Sequence, residues 1–384
     1  MNEDVPGKRV VKKVGQSHII WFEESNRWVQ MEEPAWFIFI NLSKGIEKKG
    51  LIEMVSGRYG LPEKEAGRFT DEIISGLEEI TKPVTPPEEF LPCSNEVSEF
   101  SFSPFVTRHY LMNRRLIAVS YGSPLMEYYI HRSLAHLEAE TGSANPDIRL
   151  EIFEHEEGIV LRNGSPASNC CLFRDAGYLK RRVFIELANF IYGKDDSGWI
   201  SFVHASAVTD GREVLLLSSA SGSGKSTLAA LLQKRGLYFM SDDLVPVDAD
   251  NQMAHLFPAA LSVKQGAFDT ISGLYNPEDD ADAGCGGLTS RSIRYLRPRM
   301  PEGDKYAVLP VRNILFVDFD PQADIEMDEL NVTEALSRFH EEAWVSHNPG
   351  HAQAFIDWFV TLKFRALRYG NTEKAINAVL DIFR

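Results

Sequence analysis

The chain has 384 residues, of which 44% are hydrophobic and 25% charged, with a formal net charge of −15. That length suits two or three domains of roughly 100–200 residues, with enough apolar material for cores without metal or disulfide staples. The acidic balance argues against a general nucleic-acid binder, which needs basic surface to displace counterions. The opening segment is charged and lacks an apolar h-region, and the densest apolar run, Ala35 to Leu42, is too short to cross a bilayer. Cys93, Cys170, Cys171 and Cys285 form no CxxC pair. They are expected to be free thiols, and the protein to be cytoplasmic with no membrane partner.

In chain order, the first block covers residues 1–82. Val10–Val14, His18–Glu23 and Trp28–Met31 read as strands, with a turn at Glu24–Arg27. From Pro34 the spacing becomes helical through Trp36, Phe37, Ile40 and Leu42. Two more helices are expected, over Leu51–Tyr59 and Glu63–Ile80, the second with Phe69, Ile73, Ile74 and Leu77 on one face. Residues 83–97 open on the proline-rich run Pro83–Glu89 and are expected to be a linker.

The remaining region, 98–384, is expected as an accessory part over 98–200 and a core over 201–384. The accessory part alternates short strands with a helix over Met126–Thr141 and ends in a helix through Leu179–Tyr192. Its histidines, His109, His131, His136 and His155, are too scattered to suggest a metal site. In the core, Phe202–Val208 and Glu213–Leu217 flank Asp210-Gly211, a hairpin signal. A helix over Lys225–Arg235 and a strand at Tyr238–Met240 follow, and the tail Asp328–Arg384 reads as largely helical. The acidic run Glu278–Asp282 followed by Gly284–Gly287 reads as a solvated loop, with a cover over the site as the alternative.

The chemistry concentrates where the strand Val214–Leu217 meets Ser219-Ala220-Ser221-Gly222-Ser223-Gly224-Lys225-Ser226-Thr227. A triphosphate needs successive backbone N–H groups within reach of its oxygens. Small residues permit that approach, and a following helix adds the positive end of its dipole. Lys225 would reach the β- and γ-phosphates and Ser226 would ligate Mg²⁺, so ATP and Mg²⁺ are the expected cofactors. Asp242 and Asp243 follow the next strand, at a place where phosphoryl-transfer proteins handle metal or the attacking group. One would hold metal while the other accepts a hydroxyl proton; the residues alone do not apportion those roles.

Val203-His204-Ala205 through Asp243, with the loop and Ser241-Asp242-Asp243, resembles the HPr serine kinase/phosphorylase family, and more closely its stand-alone kinase-related relatives. Phe257–Lys264, Arg294-Tyr295-Leu296 with Pro298, and Pro310-Val311-Arg312 also fit those relatives. The resemblance implies an α/β kinase core with the phosphoenolpyruvate-carboxykinase-like variety of P-loop fold. It further implies that Asp242 and Asp243 serve metal binding and activation of a serine hydroxyl, beside His204. Two departures stand out: Ser219 replaces a glycine, and Thr227 stands where true HPr kinases carry an acidic residue. The arginine- and glycine-rich phosphorylase signature is also missing, so HPr is not the expected substrate.

The first block, with Leu42-Ser43-Lys44-Gly45 and Tyr59-Gly60-Leu61-Pro62 between its helices, resembles the winged-helix-like β3α3 fold of PqqD, which recognises leader peptides. The resemblance implies peptide binding along the Trp28–Met31 edge, facing the Glu63–Ile80 helix. The expected function is an ATP- and Mg²⁺-dependent kinase acting on a serine-type hydroxyl of a peptide or small protein. The alternatives are a nucleotide-gated peptide-binding module without catalysis and a small-molecule kinase. Oligomeric state stays open.

Overall fold

A computed structural model describes residues 9–82, 91–140, 145–164, 170–272, 275, 293–301, 308–339 and 343–384. The chain is of mixed α/β class and divides into two compact units. The first gathers Met1–Thr85 with Asn331–His340 and Val345–Thr361; the second holds Pro86–Leu330, Glu341–Trp344 and Leu362–Arg384.

The first unit opens with an antiparallel sheet in the order β1 (Arg9–Val14), β2 (Ser17–Phe22), β3 (Arg27–Met31). Its helices are α1 (Glu33–Ser43), with Pro34 in the first turn, α2 (Lys48–Tyr59) and α3 (Glu63–Thr81). Gly60 stops α2 in the left-handed conformation, the usual glycine role at a helix end. Ile20, Phe22, Met31, Phe39 and Leu77 form the core between sheet and helices. β3 is an edge strand, and Arg27 Nη1 donates to the Glu79 carbonyl of α3.

The second unit begins earlier than a linker over 83–97 would allow. Residues 83–90 lie outside the described part, but β4 (Leu91–Pro92) pairs with β9 (Cys170–Phe173), and α4 (Asn95–Glu99) follows, capped by Ser94. Between them run β5 (Val106–Met112), β6 (Arg115–Tyr121), β7 (Ile148–His155) and β8 (Gly158–Asn163), giving a sheet ordered β4-β9-β8-β7-β6-β5. The parallel β6–β7 pair is joined through α5 (Pro124–Leu134). That helix does not reach Thr141 as its sequence suggests. Beyond a short 3₁₀ turn the chain is drawn back onto β5, where Ala139 N–H donates to His109 O and Arg108 pairs with Glu138 at 2.9 Å. The helix α6 (Ala176–Tyr192), capped by Asp175, packs on this sheet. Cys93 and Cys170 form a disulfide with Cα atoms 5.5 Å apart, which corrects the expectation of free thiols for that pair; Cys171 is free, and Cys285 lies outside the described residues.

A second, mixed sheet carries the loop 219–224. Its strands are β10 (Trp199–Val203), β11 (Ser206–Thr209), β12 (Val214–Ser218), β13 (Tyr238–Ser241), β14 (Val245–Asp248) and β15 (Met253–His255), with α7 (Lys225–Lys234) following β12. β16 (Leu261–Lys264) and α8 (Phe268–Ile271) come next, and β16 pairs with β17 (Ile293–Leu296). The long β18 (Val308–Phe319) runs parallel to β12 on one side. After it come β19 (Ile325–Leu330), α9 (Val332–Phe339), β20 (Ala343–Val345), α10 (Pro349–Phe359), β21 (Lys363–Tyr369) and α11 (Thr372–Asp381). The order is β13-β11-β12-β18-β15-β14-β10-β20, with β21 parallel to the end of β18 and antiparallel to β19. The tail is therefore not simply helical: β21 is an interior strand. Leu215, Leu217, Leu228, Leu231, Leu315, Leu367 and Ile376 pack the core under α7 and α11. No helix among the described residues is long and apolar enough to cross a membrane.

Candidate functional site

The loop 219–224 leaves the carboxyl end of β12, beside the parallel strands β18 and β21. In parallel sheets, the crevice beyond the strand ends is where ligands bind. Gly222 and Gly224 adopt φ of 95° and 97°, a region that favours glycine. A Cβ on Gly224 would come within 3.3 Å of Phe319 Cβ and the Tyr369 hydroxyl, so close packing adds to the backbone demand. Ser219 stands at φ 156° without being glycine, which explains why a glycine would sit more easily there. Ser223 N–H donates to Ala220 O and Phe319 N–H to Ser223 O at 3.1 Å, tying the loop to the end of β18.

Two chain crossings supply the opposite wall. The strand expected over Phe202–Val208 breaks at His204, where Ala205 N–H donates to Val203 O, so β10 and β11 join different partners. The hairpin at Asp210-Gly211 is then made by β11 with β12 alone, with Thr209 opposite Val214. Asp242–Leu244 is the matching crossing from β13 to β14. Val203 pairs with Val245 and Ala207 with Ser241, so the two breaks face each other. That register is what brings His204 to Asp243, at 3.9 Å. Asp243 holds φ 65°, a strained conformation for a non-glycine residue and one that clusters at functional sites.

The carboxylates sit in different surroundings. Asp242 is 2% exposed and accepts from Ser206 Oγ at 2.5 Å, Ser226 Oγ at 2.9 Å and Ser262 N–H at 2.8 Å. Burial, then the neighbouring Asp243 charge, pushes its carboxyl up to about 6, against the pull of those hydrogen bonds. Asp243 lies at the surface of the cleft. Burial would raise it too, but Lys180, His204 and Lys225 outweigh that and hold it below the ordinary carboxylate range. Lys180 Nζ is 3.4 Å from Asp243 Oδ2. Burial draws the Lys180 ammonium down, and Asp243 with Tyr295 more than restores it, leaving it raised.

Lys225 is 7% exposed and its ammonium folds back onto the carbonyls of Ser219 and Ala220, the second at 3.1 Å. Lys264 Nζ, from β16, reaches Ser221 Oγ at 2.8 Å. A cavity of about 290 Å³ opens among these groups, lined by Ser221, Gly222, Lys225, Ser226, Thr227, His204, Asp243, Lys264 and Tyr369. The fold thus brings Lys225, Ser226, Asp242, Asp243 and His204 together. Lys180, Ser206 and Ser262 join them without having been singled out as site residues.

The residues suit a magnesium triphosphate. Ser226 and Asp242 are hard oxygen donors held together, the type Mg²⁺ prefers. Ser223 Oγ, buried in the loop, has no hydrogen-bond partner among the described residues, as expected where a ligand completes the loop. No group of three or more His, Cys, Asp and Glu side chains gathers around a metal-sized space among the described residues. The chain matches no protein-family model and no curated protein.

Proposed function

We propose that the chain is a kinase that transfers the γ-phosphoryl group of ATP to a serine-type hydroxyl on a peptide or small protein. One observation carries this reading: Lys225, Ser226 and Asp243 line a single cavity at the ends of parallel strands, with Asp242 buried behind them and bonded to Ser226 at 2.9 Å. Mg²⁺, when bound, would neutralise phosphate charge. Lys225 would leave the loop carbonyls for the phosphates, and Ser226 with Asp242 would hold the metal. Asp243, kept anionic by Lys180 and His204, would accept the hydroxyl proton as the acceptor O–P bond forms and the bond to ADP breaks.

The resemblance of Val203–Asp243 to HPr-kinase-related proteins supports the same chemistry, and implies the phosphoenolpyruvate-carboxykinase-like P-loop fold. On this reading the first unit is a PqqD-like leader-peptide receptor, raising the local concentration of a tethered substrate. The test is phosphate transfer from γ-labelled ATP with Mg²⁺ to peptides encoded beside the gene. Lys225→Ala should reduce transfer by about 100-fold or more, because phosphate clamping and charge neutralisation are lost together. Asp243→Asn should stop transfer while sparing nucleotide binding. Tight ATP binding with no transfer to any of those peptides would replace this reading with a nucleotide-gated peptide-binding module.

A further inference from the structure

Asp243 and His204 line two cavities. The second, about 270 Å³, lies between α6 and the β10 and β14 ends, and is lined by Gly177, Lys180, Arg181, Phe184, Phe202, Val203, His204, Asp243 and Leu244. We propose that this second cavity is the acceptor subsite of the kinase and that Arg181 selects a hydroxyl flanked by an anionic group. The proposal rests on the kinase reading above and goes beyond it by naming the acceptor's chemistry.

The cavity meets the nucleotide cavity at Asp243, so a hydroxyl entering from α6 arrives at the carboxylate that would take its proton. Its volume falls just below that of ordinary ligand pockets, which run from about 300 to 1,000 Å³. It therefore suits a residue and its immediate neighbour rather than a folded surface. Phe184, Phe202, Val203 and Leu244 form an apolar wall against which an aliphatic stem can rest.

The polar edge is cationic. Lys180 is committed to Asp243 at 3.4 Å, and Arg182 is held by Glu186 and, at 2.6 Å, by Asp196. Arg181, between them, is half-buried and forms no ion pair with any described residue. An unpaired guanidinium in a cavity is a ready partner for carboxylate or phosphate, which its planar fork matches in a bidentate manner. The α6 dipole adds little here, since Asp175 already caps Gly177 N–H at 2.6 Å. On a chain of net charge −15, general attraction of anions does not explain a basic cleft.

The experiment is calorimetric binding of short serine peptides to the full chain with ADP and Mg²⁺, the serine flanked by aspartate, phosphoserine, asparagine or lysine. The wild type should bind the aspartate or phosphoserine peptide about tenfold more tightly than the asparagine one, the two arms separating carboxylate from phosphate. Arg181→Gln should abolish that preference, Arg181→Lys should keep only the part due to charge, and Arg181→Glu should turn it toward the lysine peptide. Equal binding of all four peptides, no binding of any, or a preference that survives Arg181→Gln overturns the proposal. Transfer assays on the same peptides separate the two readings. Charge-blind transfer sinks the subsite and leaves the kinase; charge-selective binding without transfer sinks the kinase and leaves the subsite.

Discussion

The Asp242 carboxylate is closed in by Ser206, Ser226 and the Ser262 amide, whereas the Asp243 carboxylate opens onto two cavities beside Lys180 and His204. The first arrangement suits a metal ligand that gives up a proton as the cation arrives, and the second a base kept ionised by its neighbours. The segment that leads into β16 is held by a histidine. His136 Nε2 donates to Pro258 O at 2.9 Å, while its Nδ1 is buried with no hydrogen-bond partner among the described residues. Burial, with nearby Arg297, lowers its pKa to about 4 despite the Pro258 bond. Because the folded value lies below the unfolded one of 6.5, the neutral ring contributes stability above the unfolded pKa. That contribution is lost as pH falls from 6.5 through about 4. Denaturant unfolding at pH 7 and pH 4.5 should show the wild type losing about 2 kcal/mol more than His136→Gln, whose amide keeps the bond without titrating. Equal losses would mean that His136 is already protonated in the fold.

The strand–loop–helix element around 219–226 draws its shape from glycines that do different work. Gly222, at φ 95°, would meet nothing within 4 Å if it carried a Cβ, so Gly222→Ala should cost only backbone strain, about 1 kcal/mol. Gly224 has the same backbone demand and also the close approach of Phe319 and Tyr369. Gly224→Ala should therefore cost roughly twice as much and weaken nucleotide binding more; thermal melts and ADP titrations of the two variants check this. Equal effects would show that the ends of β18 and β21 yield freely. This element was legible in the sequence because all its instructions are contiguous: a buried strand, a run of small residues, then Lys225-Ser226 opening a helix. β21 was not. Phe364, Leu367 and Tyr369 become interior only through pairing with a distant strand, and nothing local in a tail flanked by helices signals that partner. Lys180 was missed for a different reason, since its role exists only across the cleft. No local signal marks it either, because Lys180 is the fifth residue of α6, beyond the first turn in which the helix dipole selects for charge.

At the scale of the molecule, the first unit is discontinuous in sequence. Lys12 of β1 pairs with Asp357 of α10 at 2.6 Å, Trp28 packs on Phe355 with ring centroids 5.4 Å apart, and Asn26 donates to the Val345 carbonyl. Asn26 in turn accepts from the fully buried Trp21 indole at 2.7 Å. Phe339 of α9 stacks against Phe355 within the same group. A contiguous division into 1–82 and 98–384 misses these helices, because the proline-rich run marks where the backbone leaves the unit and not where it returns. The return is written only in aromatic residues that any core could use. The consequence is a limit on dissection: a fragment of residues 1–82 lacks the partner of Trp28 and leaves large apolar surface in water. That fragment should melt well below the intact unit or aggregate. A fragment with residues 331–361 joined through a glycine–serine linker should recover a cooperative transition, read by circular dichroism and size exclusion. If 1–82 alone melts cooperatively at the temperature of the joined fragment, α9 and α10 contribute nothing to its stability. A peptide-binding test on the short fragment would then be sound; otherwise leader-peptide recognition has to be measured on the full chain.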